Sequence, residues 1–128
     1  MKKQFAILVG AILAALAVAL GAFGAHGLKE LLEETGRSST FETAARYHFY
    51  HALAIIVTGL LMRQYKSKVL PQAVWFFISG IILFSGSLYS ISTSTQTTSM
   101  LMGMVAPLGG LSFMIGWVLI AWSMYKKL

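Results

Sequence analysis

Phe41–Leu53 reads FETAARYHFYHAL. It sets one carboxylate, one arginine, two histidines and two tyrosines at the head of a segment that then turns apolar. From Ala52 to Met62 there are 11 residues before Arg63. As helix they cover about 16 Å, at ~1.5 Å per residue. A hydrocarbon core is ~30 Å thick, so that run alone does not cross it. If the segment spans a membrane, Arg46, His48 and His51 lie inside or at the edge of one leaflet. Ionisable groups at such depth are costly and are usually buried against protein, paired, or lining a wet cavity.

The rest of the chain agrees with a membrane setting. Of 128 residues, 57% are hydrophobic and 11% charged, where a soluble domain carries about 25% charged residues. The length leaves no room for a second domain, so residues 1–128 form one transmembrane domain. With no cysteine, disulfides, thiol chemistry and thiolate metal sites are excluded.

Four spans are expected, at about residues 5–23, 42–62, 71–89 and 100–122. The first follows Lys2 and Lys3 and imitates a signal peptide, with a weak cleavage candidate at Ala19-x-Gly21. Its apolar region is longer than the ~7–15 residues of a signal, so it reads as a retained span. Gly10, Ala14, Ala17 and Gly21 form a small-residue groove suited to close helix approach in lipid. Leu28–Glu34 places Leu28, Leu31 and Leu32 opposite Lys29, Glu30, Glu33 and Glu34. This predicts a short interfacial amphipathic helix stopped by Gly36, with a solvated linker helix as the alternative.

Ser39-Thr40-Phe41-Glu42 has capping-box spacing, which starts the second span near Thr40. Glu42 and Arg46 stand at i, i+4 with the acid first, the favourable order for a pair. Pro71 suits the first turn of the third span, and Ser90–Ser99 reads as an uncharged Ser/Thr loop. Pro107-Leu108-Gly109-Gly110 should break and kink the fourth span, with the two glycines admitting a close neighbour such as Tyr89 or the first span. Trp122 and Tyr125 suit an interfacial belt before Lys126 and Lys127. The fold class is therefore all-α, an integral membrane four-helix bundle.

Charge gives the orientation. The termini and the 63–68 turn hold Lys2, Lys3, Arg63, Lys66, Lys68, Lys126 and Lys127. The opposite side holds Lys29, Arg37, Arg46 and all four acids. Seven basic residues against three put both termini in the cytoplasm of a bacterial inner membrane. The surplus of +6 is then an orientation signal and a contact with anionic lipid. It gives no support to a nucleic-acid role.

In this topology His26, the head of the second span and the tail of the third meet at one leaflet. The candidate polar cluster is His26, Arg46, Tyr47, His48, Tyr50, His51, Ser85, Ser87 and Tyr89. Ala44, Tyr47, His48, His51 and Ile55 share one helix face, and Glu42, Arg46, Phe49 and Leu53 the opposite one. Three readings of the histidines compete. One is a three-histidine metal site, which lacks an acid on the same face. Another is a proton-responsive role. The third is structural hydrogen bonding to Ser85, Ser87, Tyr89 or freed carbonyls, because polar groups in lipid need internal partners whatever the function. No catalytic, cofactor or metal residues are assigned.

Four ordered motifs carry a family resemblance: GAFGAHGLK, TAxRYHxYHAL, FSGSLY and PLGGxxFxxGW. They are similar to the YgdD/YwdK-type family of small bacterial inner-membrane proteins, a domain of unknown function. The match covers essentially the whole chain and includes Gly21, Gly24, Gly27, Gly86, Pro107, Gly109, Gly110 and Trp117 as well as the polar cluster. The Ser/Thr run departs from the more apolar connection of that family. The resemblance implies a four-helix membrane protein and brings no activity, cofactor or substrate. A structural or lipid-interacting protein fits every feature. A transporter or channel needs a polar path, yet the inner halves of the first three spans offer mainly Thr58 and Ser79. A single chain of this size would have to form a homo-oligomer to conduct. An enzyme needs oriented nucleophile, base or metal, and only the His/Ser/Tyr cluster approaches that.

Overall fold

A computed structural model of the chain describes residues 1–94 and 96–128, with side chains described outside residues 95–99. Helix α1 covers Lys3–Ala25, α2 Lys29–Thr35 and α3 Ser38–Gln64. The third rod is composite: α4 (Leu70–Gly80), a π turn (Ile81–Ser85) and α5 (Gly86–Thr93). Helix α6 runs from Gln96 to Tyr125. No strand occurs among the described residues.

Three of these rods are long and apolar enough to cross a membrane: Lys3–Ala25, Leu70–Thr93 and Met100–Tyr125. Helix α3 has the length, 27 residues or about 40 Å, but its polar head lowers its hydropathy. Its position explains how that head is tolerated. Helix α1 packs along α3, the α4–π–α5 rod packs on its other side, and α6 packs on that rod. Phe41, Ala44, His48, His51, Ala52, Ile55 and Thr58 of α3 are buried, facing protein rather than solvent or lipid. The outer faces of α1 and α6 expose Leu8, Ile12, Leu16, Met104, Leu111 and Val118.

Small residues set the spacing. A Cβ at Gly10 would lie 2.6 Å from Ile56 Cγ1, and one at Gly59 2.8 Å from Ile7 Cγ1. Helices α1 and α3 therefore touch nearly backbone to backbone, each through the other's glycine. Gly10 and Ala17 are buried as the groove requires, but Gly24 continues that face where Gly21 was expected. On the other side, the Phe113 ring occupies the space at Gly80, and the Phe77 ring that at Gly116. The two phenylalanines interlock across α4 and α6 in a core shared with Ala54, Ile55, Ala73 and Val74.

Several local expectations need correcting. Helix α2 ends at Gly36 as predicted, in left-handed conformation at φ 66°. The Arg37 amide then donates to Leu32 O and the Gly36 amide to Glu33 O, a Schellman closure. This turn feeds straight into α3, so Ser39 is already helical and no capping box forms. Its carbonyl instead accepts from the Thr43 hydroxyl at 2.9 Å. Ser90–Thr93 is helix rather than loop, since Ser90, Ser92 and Thr93 each donate their hydroxyl to the carbonyl four residues back. Thr95 lies outside the described residues. Helix α6 is not interrupted at Pro107. The neighbour at Gly109 is the Phe84 backbone, neither Tyr89 nor α1.

Two ends result. The α3–α4 turn and the C-terminus are joined by Ser123 Oγ donating to Ser67 Oγ (2.8 Å) and Lys127 Nζ to Lys66 O (3.1 Å). At the far end, Thr35 and Arg37 donate to the Ser92 and Ile91 carbonyls, tying the α2–α3 turn to α5.

Candidate functional site

Of the face that carries Ala44, Tyr47, His48, His51 and Ile55, all but Tyr47 are buried in the protein, and Tyr47 is 40% exposed. His51, 5% exposed, has both ring nitrogens engaged. Its Nδ1 lies 2.7 Å from Tyr47 O and its Nε2 3.2 Å from Trp117 Nε1. An indole N–H only donates, so Nε2 accepts. The proton then sits on Nδ1 and is donated to the Tyr47 carbonyl. The imidazole also stacks on Phe113, with ring centroids 3.5 Å apart. A second proton on His51 would break the Trp117 bond. The arrangement holds a neutral, structural histidine.

His48, 2% exposed, differs. Its Nδ1 is 3.0 Å from the Tyr89 hydroxyl, while Nε2 is buried with no hydrogen bond of good geometry and the Leu13 backbone of α1 lies beside the ring. Ser85 Oγ, in the π turn, is also buried without a hydrogen bond. Ordinarily a helical serine donates to the carbonyl four residues back, as Ser87 does to Leu83 O. At Ser85 the register has slipped: the Gly86 amide takes the Ile81 carbonyl in the five-residue pattern of a π turn. Such turns often mark functional positions.

Of the expected cluster, the structure pairs His48 with Tyr89 and His51 with Tyr47, while Ser85 is buried in the π turn with no hydrogen bond to any of them. Ser87 is buried but its hydroxyl is spent within its own helix. His26 is exposed at the C-terminal cap of α1 and shares no hydrogen bond or ring contact with the other two histidines. Among the described residues, no group of three His, Asp or Glu side chains is arranged to hold a metal ion. Tyr50 is 52% exposed and leans on Tyr47, with centroids 6.0 Å apart. The residues that sequence reasoning left out are Trp117, Phe113 and Phe84. Trp117 belongs to the GxxFxxGW pattern, which was a usable signal. Only packing reveals that its N–H reaches His51.

Arg46 faces away from this interior. It lines a cleft of about 440 Å³ between α1, α2 and the head of α3, together with Lys29, Glu33, Ser38 and Glu42 over a floor of Gly24, Leu32 and Phe41. No ion pair within 4.0 Å joins Arg46 to Glu42. The spacing allows that pair, but both side chains reach outward and remain exposed. Pro107, Gly109 and Gly110 lie on α6 away from the histidines. Gly109 is buried beneath Phe84, while Gly110 is half-buried with Phe84 Cδ2 3.8 Å from its would-be Cβ.

Residues 20–110 match the family described as "Protein of unknown function (DUF423)". The UPF0382 membrane protein YwdK of Bacillus subtilis is 42% identical over 123 residues, 95% of this chain and 97% of the relative. The UPF0382 membrane protein SAB0533 of Staphylococcus aureus is 38% identical over 120 residues, 94% of each chain. A UPF0382 membrane protein of Haemophilus influenzae is 36% identical over 128 residues, covering 99% of this chain and 98% of the relative. None of these names states an enzymatic activity. No solved structure matches the chain. The chain belongs to the DUF423 family of membrane proteins.

Proposed function

We propose that this protein is an integral four-helix bundle of the bacterial cytoplasmic membrane, with α1, α3, the α4–π–α5 rod and α6 all spanning and both termini in the cytoplasm. Its work is structural: it packs within the bilayer, contacts lipid and supports membrane integrity, and it is not an enzyme. The observation that carries this reading is where the polarity stops. Beyond His51 the interior is Ala54, Ile55, Val74 and Phe77, and the buried Thr58 hydroxyl is consumed by Ala54 O at 2.7 Å. The buried Ser112 hydroxyl is likewise taken up by Phe76 O at 2.7 Å, so among the described residues no buried side-chain hydroxyl on that stretch is left without a partner. The Arg46 cleft supports the lipid contact. A guanidinium stays charged, and with no ion pair to Glu42 its natural partner at an interface is a lipid phosphate.

A second reading, an oligomeric transporter of small solutes, ions or protons, is favoured by two buried polar atoms with no hydrogen bond of good geometry, His48 Nε2 and Ser85 Oγ. Burial without a partner is costly, and each of these atoms has a hydrogen bond left to offer a passing ligand. Reconstitution into liposomes separates the two. The structural reading expects proton and potassium flux no faster than in empty vesicles. It also expects lipid retained in native mass spectrometry to fall in Arg46→Ala and persist in Glu42→Gln. Flux that disappears in His48→Phe establishes the transporter instead. Equal damage from Glu42→Gln and Arg46→Ala, with lipid unchanged in both, replaces the lipid contact with an ion pair.

A further inference from the structure

At the terminal end a cavity of about 610 Å³ opens between the start of α1 and the α3–α4 turn. Lys2 and Lys3 form one wall and Lys66 and Lys68 the other, and Met62, Tyr65 and Pro71 contribute apolar surface. No carboxylate lines it, and the four acids of the chain, Glu30, Glu33, Glu34 and Glu42, are all on α2 or α3 at the far end. The four lysines therefore share one cavity with no carboxylate side chain among its lining residues. Like charges gathered round one space repel and raise the local potential, and only an anion relieves it.

The turn that presents two of these lysines is held in shape. Ser67 Oγ accepts from the Val69 amide at 3.1 Å and from Ser123 Oγ at 2.8 Å, while Lys127 Nζ donates to Lys66 O. The last turn of α6 thus fixes the loop on which Lys66 and Lys68 stand. Helices α1 and α4 begin beside the cavity, at Lys3 and Leu70, and α3 ends beside it at Gln64, so the helix dipoles offset one another and the lysines set the field. The apolar wall distinguishes this place from a purely solvated basic patch: it can hold the glycerol and upper acyl carbons of a lipid beneath the charged groups.

We infer that this cavity binds the headgroup of an acidic phospholipid carrying two phosphodiesters, one phosphate against Lys2 and Lys3 and the other against Lys66 and Lys68. Two separated cationic walls match two phosphates better than one, and basic pockets at the cytoplasmic side of membrane helices take such headgroups. The site is at the opposite end from the Arg46 cleft and does not depend on it.

The test uses the intact protein in nanodiscs, titrated with diphosphatidylglycerol, phosphatidylglycerol or phosphatidylcholine and read by native mass spectrometry. The two-phosphate lipid should bind most tightly. Lys3→Gln with Lys66→Gln should weaken it by about tenfold or more, given roughly 1 kcal/mol per basic residue near an anionic surface. Arg63→Gln with Lys126→Gln removes the same charge outside the cavity and should change affinity less than threefold. Equal losses in the two double variants overturn the site and leave only net charge. Equal binding of all three lipids overturns the headgroup assignment. A competition arm with inorganic pyrophosphate distinguishes the source: displacement of the lipid at matched concentration identifies a soluble phosphate site and overturns the lipid assignment.

Discussion

Trp117 aims its indole N–H at His51 Nε2 from α6, so one hydrogen bond fastens the last helix to the third. The acceptor is buried, and removing the donor leaves it unsatisfied at a cost of about 1–3 kcal/mol. Trp117→Phe should therefore lower the detergent melting temperature, although the ring against Phe77 is largely kept. Trp122→Phe, equally exposed (49% against 48%) but with ring contacts to Tyr125 and Lys126 one turn further along the chain, should leave it nearly unchanged. Equal melting temperatures for the two variants would show that the bond contributes nothing. The histidines themselves were legible from spacing alone: i, i+3 on one face, pointing inward. Their partners were not, because nothing in the local sequence says which of several hydroxyls, carbonyls or indoles ends up within 3 Å. His26 was grouped with them by topology, yet the last turn of α1 leaves it at an exposed cap, where shared depth does not mean contact.

Helix boundaries were readable wherever hydropathy changes and obscure wherever hydrogen bonding decides. The apolar rods and the Gly36 stop follow from composition and from one residue that tolerates positive φ. The π turn is silent in sequence, since Ile81–Ser85 has the composition of ordinary helix. Ser90–Thr93 looks like loop because serine and threonine compete with the backbone, but here each hydroxyl bonds within the helix and the rod continues. The PLGG stretch illustrates the same limit. Gly109 is a place of close approach and Gly110 is not, and the neighbour is the Phe84 backbone at the π turn rather than Tyr89 or α1. A Cβ on Gly109 would overlap the Phe84 amide nitrogen and Cα, which cannot swing aside as a side chain can. Gly109→Ala should thus cost about 1–3 kcal/mol by overpacking. Gly110→Ala, whose nearest atom is 3.8 Å away, should be mild. Similar melting curves for both would mean that α6 slides freely over the π turn.

The order of packing accounts for how the whole molecule carries a polar helix. Helix α3 lies between α1 and the composite rod, so its histidines face protein. Arg46, Glu42, Tyr47 and Tyr50 are exposed near its head, where they suit an interface between lipid and water. The apolar faces of α1 and α6 are left for lipid. Charge separates along the long axis, with lysines around the termini and every acid at the α2 end. Three rods qualify as spans by length and apolarity, and α3 has the length but not the apolarity, which makes the number of crossings the decisive quantity. Four crossings place both termini on one side; three place them on opposite sides. The chain has no cysteine, so single cysteines can be introduced without background. Labelling intact cells with an impermeant maleimide measures this directly. Glu34→Cys and Ser94→Cys should react, while Lys3→Cys, Lys66→Cys and Leu128→Cys should stay protected until the cells are opened. Labelling of Lys66→Cys from outside, or a difference between Lys3→Cys and Leu128→Cys, would contradict the four-span protein with cytoplasmic termini.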